Sequence, residues 1–217
     1  MIILEFLKLM RGENAVLISA ILMGTLPFFI KSLSLSPISA TFYRMSLGLL
    51  FVGLFLMLKK EKPVFSLSLV LLGLFNVSEV FFYITAITYL SAAMAALLLY
   101  MAPIYVMIYA MMRGKVSKHS VMALVLGIAG LYLLLMPEAK LSIGIVSGML
   151  SGMTYAGVFI MLNRIGDHYS PIQITFSNLS VGTILLLPFQ RFETGNLPLI
   201  LGLGLIPTAI PFILLSY

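Results

Sequence analysis

The sequence predicts an all-α integral membrane protein, a polytopic helical bundle built from two inverted five-helix repeats, with the second repeat truncated and about eight spans present. Three observations lead to this prediction. Apolar residues make up 61% of the 217 residues, and charged residues make up only 9%. The apolar residues fall into runs of about 20, the length that crosses a bilayer as a helix. The later runs also repeat features of the earlier ones in the same order.

The composition excludes several classes of protein. A soluble domain is about 45–50% apolar and about 25% charged, so 13 Lys+Arg and 7 Asp+Glu are too few to cover a soluble core. The chain has no cysteine, which removes disulfides, thiolate metal sites and cysteine nucleophiles. His119 and His168 lie in charged loops, so neither a metal nor any other cofactor is expected. The formal charge of +6 comes from bases that are not clustered with stacking aromatics, so nucleic acid is not an expected partner.

The apolar runs predict eight membrane-spanning helices. They lack the strict alternation of a membrane β-barrel, and a backbone in lipid must otherwise bond itself as a helix. Residues 1–13 predict a short N-terminal interfacial segment, with a frayed terminus as the alternative. The predicted spans are 14–34, 39–58, 66–89, 92–112, 119–137, 142–162, 171–190 and 197–217.

Loop charges predict the orientation. With the N-terminus in the cytoplasm, nine Lys and Arg fall in inside loops and three in outside loops, and Arg44 lies within the second span. Lys and Arg concentrate on the cytoplasmic side of membrane proteins. The sequence therefore predicts a multi-pass protein of the cytoplasmic membrane with its N-terminus inside.

The chain resembles itself at an offset of about 131–134 residues. Ser36-Pro37-Ile38 recurs as Ser170-Pro171-Ile172, in each case just before a span, and Arg44 then corresponds to Asn178. The first copy, 14–140, holds five spans, so the second copy, 141–217, begins on the opposite side of the membrane. Such inverted repeats are typical of secondary transporters, with the substrate site near the midplane between the halves. The second copy holds about three spans, so we expect a truncated product or a fragment.

Four segments resemble the EamA-type group of the drug/metabolite transporter superfamily. The segment from Met23 to Lys31 is similar to the opening of that group's first helix, and Ser36-Pro37 followed by Phe42–Met45 is similar to the start of its second. The resemblance implies ten helices in two inverted halves and a transporter of small metabolites such as amino acids. The other two segments are Ser91–Pro103, where Ala102 stands in place of the group's Glu, and Leu205–Phe212.

Glu79 is the acid that lies well inside a span, where a carboxylate costs several kcal/mol. Asn76, Glu79 and Tyr83 share one helical face, so they form a polar stripe that must face another helix or a water-filled cavity. The functional interpretation is a carboxylate that binds substrate or carries a proton. The alternative is a buried structural acid.

Other side chains are candidates for the pathway. Arg44 can pair with Glu79, bind an anionic substrate group, or extend to the outer interface. Its repeat counterpart Asn178 belongs to the same candidate set. Tyrosines can line a cavity or simply pack at the interface; the candidates are Tyr105, Tyr109 and Tyr155.

Proline and glycine positions predict how the helices bend and pack. Four prolines each remove a backbone hydrogen bond within a span, so we expect kinks or hinges there. Glycines at every fourth position form a ridge that permits close helix contact. The prolines are Pro27, Pro103, Pro207 and Pro211, and the ridge consists of Gly144, Gly148 and Gly152, continued by Ala156.

These features predict a transporter rather than an enzyme. The chain has no HExxH, no Ser-x-x-Lys within a span and no phosphate-binding loop. The alternatives are an intramembrane enzyme acting on a lipid-linked substrate and a truncated membrane protein without transport activity. The expected partners are a small-molecule substrate and the lipid bilayer, with protons as a candidate coupling ion and a homodimer as a candidate assembly.

The predicted orientation can be tested with single cysteines, because the chain has none of its own. An impermeant thiol reagent added to whole cells should label a cysteine at Lys140 and spare one at Lys60, since the bases favour Lys60 inside. Labelling of position 60 with protection of position 140 would reverse the topology.

Overall fold

A computed structural model describes residues 12–114, 122, 125–130, 142–190, 193 and 195–216. This part of the chain is helical and contains no strand, which confirms the predicted fold class. Short 3₁₀ turns at Gly166–His168 and Leu187–Phe189 and a π-helix at Leu205–Ala209 join or extend the helices. The α-helices are α1 (Gly12–Gly24), α2 (Leu26–Leu33), α3 (Pro37–Leu58), α4 (Leu67–Tyr89), α5 (Ala92–Leu99), α6 (Ala102–Met112), α7 (Ile143–Ile165), α8 (Pro171–Leu186), α9 (Leu197–Gly204) and α10 (Ile210–Leu215).

Seven helical segments of the described residues are long and apolar enough to cross a membrane. They coincide with seven of the eight predicted spans. Most of the predicted fifth span, 119–137, lies outside the described residues, although 125–130 are helical. Residues 1–11 of the predicted interfacial segment also lie outside them, and residues 12 and 13 belong to α1. The seven segments are Gly12–Leu33, Pro37–Leu58, Leu67–Tyr89, Ala92–Met112, Ile143–His168, Pro171–Phe189 and Leu197–Leu215, the first to fourth and sixth to eighth spans.

Serine starts five of these spans. In each case the serine hydroxyl accepts a hydrogen bond from the backbone N–H three residues further along. Such caps satisfy N–H groups that the first turn of a helix leaves unpaired. Sharp helix starts therefore follow from the local sequence. The five serines are Ser36, Ser66, Ser91, Ser142 and Ser170.

Prolines accompany every interruption within a span. Pro27 is the second residue of α2, after the break at Thr25, and Pro103 is the second residue of α6, after the break between α5 and α6. The π-helix contains Pro207, and Pro211 follows it. Proline lacks the N–H of a regular helix, and its ring clashes with the preceding turn. The three interrupted spans are the first, fourth and eighth.

The early and late spans pack against each other in an ordered way. The third span packs most extensively on the sixth, the second on the seventh, and the first on the eighth. The seventh span also contacts the third, and α9 contacts both α2 and α3. The bundle is therefore held together by contacts between the first four spans and the last three.

The glycine ridge of α7 lies against α5 and the end of α4. A Cβ atom on Gly144 would come 2.6 Å from Leu90 Cγ, and one on Gly148 would come 2.5 Å from Leu98 Cδ1. At Gly152 the added atom would meet the Leu98 carbonyl oxygen at 2.6 Å. Only hydrogen fits at these distances, so the glycines permit backbone contact that larger residues would prevent.

Gly152→Ala should therefore destabilise the bundle. The new methyl group would meet backbone, which cannot rotate away, so we expect a loss of about 1–3 kcal/mol in the free energy of unfolding. The control is Gly24→Ala, because nothing lies within 4 Å of its added Cβ. Denaturation in mixed detergent micelles measures both variants. Equal stability of the two variants would contradict the close packing of α7.

Candidate functional site: a buried acid and base

Glu79 and Arg44 are both buried between helices. Glu79 on α4 is 7% exposed, and Arg44 on α3 is 9% exposed. The two side chains lie within electrostatic range, so their opposite charges attract. A charge facing hydrocarbon is costly, whereas a paired charge inside a bundle is tolerated. The helix packing thus brings together two of the predicted site residues.

Arg44 also connects the early spans to the eighth span. Its Nε donates a hydrogen bond to Thr208 Oγ1 at 3.1 Å, and Thr208 is 1% exposed. Thr208 lies in the π-helix, and its hydroxyl donates in turn to the Leu203 carbonyl at 3.1 Å. Arg44 therefore points into the protein rather than to the outer interface. Arginine has five N–H donors, so donors remain for Glu79 or for a ligand.

Three tyrosines surround this pair. Tyr83, one turn beyond Glu79 on α4, is half-buried and lies within electrostatic range of both Arg44 and Glu79. Tyr155 on α7 reaches Glu79 as well, and its ring packs on Phe159 with centroids 4.6 Å apart. Tyr100, at the break between α5 and α6, lies within electrostatic range of Tyr83 and Tyr155. Sequence reasoning missed Tyr100 and Thr208, although both adjoin the proline-associated breaks that it had found.

Asn76 and Asn178 form a second polar position. They line a cavity of about 30 Å³ together with Thr175, Leu179 and Phe212. The buried Asn178 Oδ1 accepts no hydrogen bond from the described residues. A polar cavity of this size has room for a water molecule, which would satisfy that oxygen.

Two predicted site tyrosines lie elsewhere. Tyr109 Oη accepts a hydrogen bond from Arg164 Nη2 at 2.8 Å, and the Arg113 guanidinium lies 5.2 Å from the centre of the Tyr109 ring. Tyr109 therefore lies among the bases at the ends of the fourth and sixth spans. Tyr105 is half-buried one turn earlier on α6, and the described contacts do not join it to the Glu79 cluster.

The site offers charges and hydroxyl groups rather than metal ligands. Within the described ranges, no three His, Cys, Asp or Glu side chains come together to hold a metal ion. One carboxylate, one guanidinium, a buried threonine and phenol groups remain. This set can bind a polar or charged solute away from lipid.

The fold and this cluster define a multi-pass helical membrane protein with ionisable side chains enclosed between its spans. The chain belongs to the EamA-like transporter family, whose model matches residues 10–136 and 142–217. Membership of the drug/metabolite transporter superfamily and a membrane transporter function follow from that family.

Two individual proteins resemble the chain. An uncharacterized transporter of Archaeoglobus fulgidus is 43% identical over 209 residues, which cover 95% of this chain and 77% of that protein. The crystal structure of another protein matches with a TM-score of 0.63 at 17% identity and covers 94% of this chain and 77% of its own. The structural match shows a shared fold.

The Arg44–Thr208 hydrogen bond should contribute to stability. Thr208→Val keeps the shape of the side chain but leaves a buried guanidinium with one partner fewer, so we expect a loss of about 1–3 kcal/mol in the free energy of unfolding. Thr183→Val is the matched control, because the Thr183 hydroxyl bonds within its own helix, to the Leu179 carbonyl. Denaturation curves in detergent compare the two variants. A loss no larger than that of the control would show that Arg44 does not depend on Thr208.

Proposed function

We propose that this chain is a secondary transporter that moves small metabolites, amino acids or similar solutes, across the cytoplasmic membrane by alternating access. The observation that carries the proposal is the buried Glu79–Arg44 pair, which a hydrogen bond ties to Thr208 of the eighth span. Intramembrane charges enclosed by a bundle commonly belong to substrate or ion pathways. Transport outward, as an exporter, is the direction we expect from the family resemblance.

The charges match the groups of such a solute. Arg44 binds an anionic group such as a carboxylate, because a guanidinium offers a planar set of donors. Glu79 binds a cationic group, either a substrate ammonium or a proton. The half-buried Tyr83 and Tyr155 supply an aromatic surface and a hydroxyl beside these charges. A solute carrying both charges would take the place of the Arg44–Glu79 attraction.

An inverted repeat explains how the pathway opens to either side. If 14–140 and 141–217 are the two repeats, the first, second and third spans correspond to the sixth, seventh and eighth. The third–sixth contact then corresponds to the eighth–first contact, and the second–seventh contact corresponds to itself. This pairing supports a two-fold relation between the halves, the arrangement in which one half rocks against the other.

The interrupted helices supply the moving parts. The π-helix at Leu205–Ala209 contains Thr208, the partner of Arg44, so a change at the substrate site reaches the eighth span directly. π-helical turns often mark functional sites. The breaks beside Pro27 and Pro103 are hinges in this proposal.

Contacts between the span ends support the orientation with the N-terminus in the cytoplasm. Arg113 and Arg164, which end the fourth and sixth spans, meet at Tyr109, and Lys59 Nζ reaches the Ser216 carbonyl at 3.4 Å. These ends carry the bases that the loop charges assign to the inside. An ion gradient or the gradient of the substrate itself drives the transport.

Glu79→Gln should abolish substrate flux while leaving the protein folded, because the amide keeps the shape of the side chain and loses its charge. Arg44→Gln should reduce flux to a comparable degree, since the two charges act on the same solute. The assay measures flux of a panel of amino acids into proteoliposomes, with and without a pH gradient. Glu13→Gln, at the exposed start of α1, is the control for removal of an acid. Wild-type flux through the Glu79→Gln variant would make Glu79 a structural residue.

A further inference from the structure

Two glutamates outside the membrane spans each bind the start of a distant helix. Glu61, just after α3, accepts a hydrogen bond from Ser170 Oγ at the start of α8. Glu193, just before α9, accepts a hydrogen bond from the Ser36 backbone N–H at the start of α3, at 2.8 Å. We name the Glu61–Ser170 contact the first latch and the Glu193–Ser36 contact the second latch.

Neighbouring contacts strengthen both latches. Beside the first latch, Gln173 Nε2 donates to the Lys62 carbonyl at 3.0 Å and Tyr169 Oη donates to Ser66 Oγ at 3.1 Å. Beside the second latch, Tyr43 Oη donates to the Glu193 carbonyl at 2.9 Å. Each latch is thus the centre of a small set of bonds between an early and a late segment.

The latches correspond to each other in the internal repeat. Ser36 and Ser170 both precede a proline at the first position of a helix, and they are 134 residues apart. Glu193 follows Glu61 by 132 residues, within the offset of the repeat. Each glutamate therefore binds the serine that corresponds to its partner's serine, and each bond runs from one repeat to the other.

The latches lie at opposite ends of the bundle. Ser36 precedes the first residue of α3, and Glu61 follows its last turn. A helix of 22 residues is about 33 Å long, about the thickness of the hydrocarbon core. One latch therefore closes the contact between the repeats at one membrane face, and the other closes it at the opposite face.

The chemistry suits a contact that holds and releases. A carboxylate at the start of a helix is favoured by the helix dipole and forms a charge-assisted hydrogen bond. Both glutamates are only half-buried, so water can replace the serine when the latch opens. The backbone beside each latch is also strained. Lys60 has φ +57° and Ser34 has φ +49°, values that non-glycine residues rarely adopt.

We propose that the two latches are the gates of the transport path, and that each transport cycle breaks them in turn. The proposal rests on the alternating access proposed above. Both latches are formed in the structure, so the contact between the repeats is closed at both faces. When the first latch breaks, the central site opens toward the face that carries Lys60, and when the second breaks, it opens toward the other face.

A single reporter cysteine tests the gates without a known substrate. Asn76→Cys puts one thiol in the mid-span cavity of an otherwise cysteine-free chain. An impermeant thiol reagent is added to one side of sealed vesicles of known orientation. Glu61→Ala should raise the labelling rate from the Lys60 side about tenfold, and Glu193→Ala should raise it from the opposite side to a similar extent, because each removes a hydrogen bond to a charged group.

Further variants separate gating from general loosening. Ser170→Ala removes the other partner of the first latch and should raise labelling from the same side as Glu61→Ala. Glu13→Ala removes an exposed acid away from both latches and should change neither rate. Unchanged rates, or equal increases from both sides in every variant, would overturn the proposal.

Flux measurements distinguish this proposal from the proposed function. Side-specific labelling without flux of any amino acid by the reporter-free protein would support the gates and count against the substrate class. Flux by the reporter-free protein together with unchanged labelling in the latch variants would support transport and overturn the gates.

Discussion

Hydrocarbon solvates neither a carboxylate nor a guanidinium, and the structure of this protein depends on that constraint. Glu79 and Arg44 lie in apolar helices that would otherwise be free to rotate toward lipid. Their charges can be accommodated only between helices, so they restrict the rotation of α3 and α4. The hydrogen bond from Arg44 to Thr208 extends the same restriction to the eighth span. A functional requirement, charged groups at mid-membrane, thereby also orients the helices.

The remaining packing allows those helices to come close. The ridge of α7 brings its backbone against α5, where a Cβ on Gly152 would approach the Leu98 carbonyl oxygen. Without a hydrophobic effect between helices in lipid, such close van der Waals contact is what holds spans together. The third–sixth interface that results carries Glu79 on one side and Tyr155 on the other. Glycine and charge thus act on the same pair of spans.

The structure separates the polar residues of the pathway into levels. The Glu79, Arg44 and Thr208 cluster is the charged level, and the Asn76 and Asn178 cavity is a neutral level beside it. Arg44 and Asn178 correspond in the repeat, so the two levels are related positions with different chemistry. The repeat thus supplies similar geometry at both positions, while only one of them carries a charge. The latches are different, because both retain a glutamate and a serine.

Sequence reasoning found the helical class, seven described spans and the polar stripe, because each depends on local patterns. Runs of about 20 apolar residues require helices in a bilayer. A carboxylate within such a run, as at Glu79, must turn inward. The Ser-Pro pairs at Ser36 and Ser170 mark helix starts whatever the helices later contact.

Only the tertiary structure decided which of these residues meet. Thr208 lies 164 residues from Arg44 along the chain, and a buried threonine looks like many others in an apolar helix. Tyr109 has the same spacing signal as Tyr105, yet it lies among bases at the span ends. The glutamate of each latch binds a serine more than 100 residues away. Periodicity determines which face of a helix is polar, whereas the partner of that face depends on the packing of the whole bundle.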